Sequence, residues 1–150
     1  MSEEAGAIDP QDISPEQFAQ MVAGASDDQI AEAIRTIGTE RTLDRIFHGF
    51  EERFQPDKAQ GVEADIQFVV TDQGAEHPYA VSIKDGTCTA TRGSADSPKV
   101  TLTLGLVPFA RMVTAQANGM QLFMTGKLKV SGDLMFAPRI MNFFEPPKAA

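Results

Sequence analysis

At 150 residues, with 42% hydrophobic and 23% charged residues, the chain is most simply one globular domain. A net charge of −8 excludes the basic stripe that phosphate-backbone binding needs, so no nucleic-acid partner is expected. The single cysteine, Cys88, excludes an intrachain disulfide and suits a reducing cytoplasm.

No apolar run approaches the ~18 residues that span a bilayer, and the acidic start "MSEEAGAIDPQD" lacks the basic and apolar segments of a secretory signal. The final "PPKAA" matches no retention or peroxisomal tripeptide, so the expected location is cytoplasmic. Residues 1–40 hold nine acids and one base, residues 41–150 twelve of each, and residues 100–150 five bases against two acids. The acidity therefore belongs to the N-terminal segment.

Residues 1–12 read as a flexible acidic tail, and residues 13–38 as a helical N-terminal extension before a domain over 39–150. In "ISPEQF", Ser14 suits an N-cap, Pro15 the first helical position and Gln17 the capping-box partner, with Ile13 and Phe18 as the staple. "ASDDQI" repeats the device with Ser26, Gln29 and Ile30, and Gly38 suits the stop. A third helix over about residues 39–54 places Leu43, Ile46, Phe47, Phe50 and Phe54 on one face.

The period then changes to two. Ile66, Phe68 and Val70 alternate with polar neighbours, as do Tyr79, Val81 and Ile83. Asp85-Gly86 is a strong hairpin signal leading into "TCTATR", and Val100, Leu102 and Leu104 form a fourth alternating run. The four strands read as an antiparallel meander with one apolar face. Beyond Gly105 come helical segments, a fifth strand over residues 127–131, and a last apolar helix from near Asp133 that Pro138 bends or interrupts.

Five of the seven methionines and five of the ten phenylalanines fall between residues 109 and 144. Methionine is unbranched and polarizable, so such a surface can repack around ligands of varied shape. It fills a core equally well, and composition alone leaves both readings open.

The phrases "SADSPKVTLTLGLVPFARM" and "GMQLFMTGKLKVSGDLMFAPRIMNFF" decide more. They resemble the sterol carrier protein type 2 family, also called non-specific lipid-transfer proteins. The match runs through Phe123, Met124, Gly126, Lys127, Leu128, Lys129, Val130, Gly132 and Asp133, and the hairpin "VSIKDGTCTATRG" is similar to the family's own. The likeness covers about residues 43–144, leaving residues 1–38 outside it. It implies an α+β fold: a five-stranded, mainly antiparallel sheet covered on one face by helices, with an apolar tunnel between them for fatty acyl chains or sterols. It implies no catalytic residues and no cofactor.

On that resemblance, Gly126 and Gly132 turn the chain into and out of an edge strand, and Lys127 and Lys129 keep that edge from pairing. The expected wall comprises Phe109, Met112, Met120, Phe123, Met124, Leu134, Met135, Ile140, Met141 and Phe144, with Met124→Arg expected to suppress lipid binding. The expected partners are a lipid or fatty-acid ligand, transient membrane contact, and an enzyme docked through residues 13–38. The second reading is an accessory domain that presents a hydrophobic surface to an enzyme acting on apolar substrates. Two histidines and one cysteine are too few for a zinc set, and no residues nominate themselves for lipid catalysis.

Overall fold

The computed structural model describes residues 15–114, 116–117 and 119–144, with the backbone alone described at residues 15, 16, 138 and 141. In chain order the elements are α1 (Pro15–Ala23), α2 (Asp27–Ile37), α3 (Thr39–Arg53), a 3-10 turn (Pro56–Ala59), β1 (Ala64–Asp72), β2 (Ala75–Lys84), β3 (Thr87–Arg92), β4 (Val100–Gly105), α4 (Leu106–Val113), α5 (Gly119–Met124), β5 (Leu128–Gly132) and a 3-10 helix (Ala137–Phe143).

Local chemistry sets the helix limits. The Ser26 hydroxyl accepts from the Gln29 N–H at 3.2 Å, while Gln29 Oε1 accepts from the Ser26 N–H at 2.9 Å, so the predicted capping box closes at α2. Gly38, at φ +120°, ends α2 and starts α3. Pro15 opens α1, whereas the N-cap expected at Ser14 and the staple residue Ile13 lie outside the described residues. Ion pairs then fasten α2 to the body, while the Gln116 amide donates to the Ala19 carbonyl of α1 at 3.1 Å. Arg35 meets Asp72 at 2.6 Å, and Arg111 meets Asp27 at 2.7 Å. Val22, Ile30 and Ile34 are fully buried in the same apolar cluster as the sheet residues.

The fold is α+β, with sheet order β3-β2-β1-β4-β5. Asp85 (φ +54°) and Gly86 (φ +76°) make the predicted tight hairpin between β2 and β3. The apolar residues of the period-two runs line up across the strands: Phe68 lies opposite Tyr79 on one side and Leu102 on the other. All three are buried, as are their row neighbours Ile66, Val70, Val81 and Leu104. Phe47 of α3 sits on this face, stacked on Tyr79 with ring centroids 4.2 Å apart and on Phe109 of α4 at 5.2 Å.

The expected four-strand meander is corrected in one respect. Strand β4 pairs with β1, and in parallel, instead of continuing from β3. A period-two pattern reports which face is buried but not which edge a strand joins. The crossing is held by Gln67, a residue buried to 5% exposure on β1. Its amide nitrogen donates within reach of the carbonyls of Phe68, Tyr79 and Gly93 (3.1–3.2 Å), and its oxygen accepts from the Ala95 N–H at 2.6 Å. The loop from β3 to β4 is thereby pinned over the middle of the sheet. Gln67→Leu is expected to destabilise the protein by about 2 kcal/mol in urea unfolding, because it removes the partners of buried and half-buried backbone groups. A loss within ~0.5 kcal/mol would show that the loop holds itself.

The last apolar segment also differs from expectation. It is a turn at residues 134–136 followed by the 3-10 helix, not an α-helix from Asp133. Pro138 lacks the N–H that an α-helical ladder requires. The chain instead spends its Phe143 carbonyl on the Gln55 N–H at 2.7 Å, and Phe144 forms a bridge with Phe54. The C-terminal segment is thus tied to the end of α3.

Candidate functional site

Strand β5 is one of the two edge strands, entered at Gly126 (φ +80°) and left at Gly132 (φ +98°). Lys127 and Lys129 are exposed, whereas Leu128 is buried and lies opposite Leu104. Val130 lies opposite Leu102. Alternation therefore turns Leu128, Val130 and Leu102 to one face, which floors a cavity of about 810 Å³.

Met112 and Val113 of α4, Met120 and Phe123 of α5, and Leu134, Ile140 and Phe144 of the C-terminal segment complete most of the apolar wall. Phe50 closes it from α3, its ring stacked on Phe144 at 4.9 Å. Arg53, Gln55 and Lys58 on one stretch, and Gln116, Gln121 and Asn142, also border the cavity.

Of the ten residues expected to form the wall, six border this cavity: Met112, Met120, Phe123, Leu134, Ile140 and Phe144. Phe109 does not. It is fully buried beneath Phe47, within the aromatic core, because helix α4 turns that face onto the sheet. Met124 and Met135 are also off the lining, at 77% and 85% exposure, and stand on the outer rim. The side chain of Met141 lies outside what is described. Leu102, Leu128 and Val130 were missed as wall residues, although their alternation with Thr and Lys marks them as facing one side. The glutamines, Asn142, Arg53 and Lys58 gave no sequence signal.

The rim is held by Asp133. Its carboxylate accepts from the N–H groups of Met135 at 3.0 Å and Phe136 at 3.1 Å, and faces Lys99 at 3.3 Å. The Phe136 hydrogen bond above all, with Met135 and Lys99, holds its pKa below the usual carboxylate range. Arg139 lies over the rings of Phe136 and Phe143, at 5.7 and 5.8 Å.

Elsewhere, titratable groups serve packing. Burial, with the Glu51 carboxylate nearby, pushes the Cys88 thiol up to about 12, so little thiolate exists at neutral pH. The bidentate Arg92 pair lowers the Asp44 pKa, and the same carboxylate accepts from the Tyr79 hydroxyl at 2.6 Å. That cluster locks α3 to β2 and β3. Among the described residues, no helix is long and apolar enough to cross a membrane.

A helix-covered, mostly antiparallel five-stranded sheet is the fold of the sterol carrier domains. The chain belongs to the SCP-2 sterol transfer family, whose model matches residues 43–145, and that family binds and transfers lipids. The oleate-induced peroxisomal protein POX18 of Candida maltosa is 36% identical over 74 residues, a stretch covering 49% of this chain and 58% of that protein. The chain thus matches little more than half the length of that curated relative.

Among solved structures, sterol carrier protein 2 from Yarrowia lipolytica in its apo form is 27% identical with a TM-score of 0.58, over 70% of this chain and 88% of that one. The sec-alkylsulfatase Pisa1 from Pseudomonas sp. shares the fold alone. Its TM-score is 0.64 at 17% identity, over 80% of this chain but 21% of that chain.

Proposed function

We propose that this protein binds apolar lipids without catalysis, taking fatty acyl chains or sterol- or isoprenoid-like molecules into the cavity beneath β5, and carries them between sites in the cytoplasm. The observation behind this reading is an 810 Å³ cavity floored by Leu102, Leu128 and Val130 and rimmed by side chains that are themselves half exposed. Such a volume falls within the ~300–1,000 Å³ of small-molecule sites. An acyl chain of about fifteen methylenes contributes ~12 kcal/mol gross on burial. Association costs of about 4–15 kcal/mol leave micromolar affinity with no polar anchor, so selectivity should be broad. A relative named for its induction by oleate supports an acyl ligand; because it is also named as peroxisomal, location should be read directly by fluorescence of the tagged chain.

Native mass spectrometry of the gently purified protein tests the reading, followed by solvent extraction and by incubation with palmitate and with a sterol. A mass excess that releases lipid is expected. Met120→Arg should lower lipid affinity by about tenfold or more, since it sets a cation in the apolar wall. Met120 is half exposed, so the circular dichroism spectrum should stay native. Met124→Arg, off the lining, should bind as the parent does. An apo mass that persists through every incubation, or unchanged affinity in Met120→Arg, would sink the placement of the site.

A further inference from the structure

Two short segments expose five large apolar side chains: Met120, Phe123 and Met124 on α5, and Leu134 and Met135 on the turn after β5. Three of them, Met120, Phe123 and Leu134, border the cavity. The other two do not. Met124 and Met135 are the most exposed of the set, and the cavity wall gives no reason for them. Exposed apolar clusters of this kind on a water-soluble surface mark something that covers them.

Charge says what that is. Residues 119–144 carry Lys127, Lys129 and Arg139 against the single acid Asp133, in a chain whose net charge is −8. Asp133 is itself paired with Lys99, so the local surplus is positive. No ion pair is found for Lys127, Lys129 or Arg139 among the described residues, and Lys127 follows Met124 by three positions. A second copy of the same positive rim would be repelled, whereas an anionic surface would be attracted. Long cationic side chains beside apolar ones also match the boundary of a bilayer, where stems enter the acyl region and heads meet phosphate.

We propose that the α5 and residue 134–136 rim is a membrane-docking face, specific for an anionic bilayer surface, with Met124 and Met135 as its inserting tips. Asp133 holds the tip in shape by binding the Met135 and Phe136 N–H groups. Docked this way, the cavity mouth opens onto the acyl region, and lipid passes between bilayer and cavity without crossing water. The inference rests on the carrier reading for its purpose, but not for its test.

The test is flotation of the full chain with vesicles of phosphatidylcholine containing phosphatidylserine, against phosphatidylcholine alone, at low and high salt. Binding is expected on the anionic vesicles and should fall as salt rises. The double variant Met124→Glu/Met135→Glu should bind these vesicles about tenfold more weakly. Its circular dichroism and its uptake of palmitate by native mass spectrometry should stay as in the parent. Lys127→Glu/Lys129→Glu should remove the salt-sensitive part.

Equal flotation of the Met124→Glu/Met135→Glu variant and the parent would overturn the proposal. So would a lipid-filled protein that ignores anionic vesicles, or sedimentation showing a dimer that this variant dissociates. If anionic vesicles are bound through these residues while the cavity never fills, docking stands and the carrier reading falls.

Discussion

Gly132→Ala is expected to lower stability by about 3–5 kcal/mol, enough to remove a large part of the ~5–15 kcal/mol that a domain commonly has. Two causes add. The residue sits at φ +98°, where an L side chain is strained by about 1–2 kcal/mol. An added Cβ would also lie 2.5 Å from the Lys99 carbonyl oxygen and 3.0 Å from Val100 Cα. Both are backbone atoms, so no side chain swings aside. The Lys99 carbonyl meanwhile accepts from the Asp133 N–H at 2.9 Å, and the Lys99 N–H donates to the Asp65 carbonyl at 2.7 Å. Pushing it away strains the start of β4, its pairing with the end of β5, and the anchor of the cavity rim.

Gly126→Ala is the matched control. Its φ is +80°, but an added Cβ would meet nothing within 4 Å, so a cost of about 1–2 kcal/mol is expected. Urea midpoints of the two variants decide the matter. Equal losses would mean that the close approach at Gly132 relaxes at no cost.

Phe47→Ala is expected to cost about 3–5 kcal/mol for a different reason. The ring is 1% exposed and meets four others: Tyr79 at 4.2 Å, Phe50 at 5.1 Å, Phe109 at 5.2 Å and Phe68 at 5.4 Å. Close packing on every side leaves little that can collapse into the void. Lipid affinity, measured on the folded fraction, should change far less than stability, since Phe47 does not border the cavity. A loss below ~1.5 kcal/mol would mean that the aromatic cluster repacks.

These two variants separate what stabilises the fold from what shapes the cavity, a division on which the amino-acid pattern was only partly informative. The short-range devices were legible: the Ser26–Gln29 box, the Gly38 stop, the Asp85-Gly86 hairpin and the glycines around β5 each follow from a local conformational demand. The buried faces of α3, β1, β2 and β4 were legible as well, because periods of 3.6 and two report which side of an element avoids water. So was the family, through an ordered phrase that spans β5.

Phe109 shows where such legibility stops. Its spacing on α4 matches that of Met112, yet Phe109 goes to the aromatic core and Met112 to the cavity, since both destinations are apolar and differ only in what stands opposite. Met124 and Met135 fail in the other direction, being apolar residues that the fold leaves in water. By itself, then, the sequence determined the elements up to β5, their turns, their apolar faces and the family. Only the tertiary structure decided that β4 joins β1, that Gln67 pins the crossing, and which Met and Phe residues surround a space. Those depend on partners distant in the chain, and hydrophobicity carries no record of which partner a buried side chain will meet.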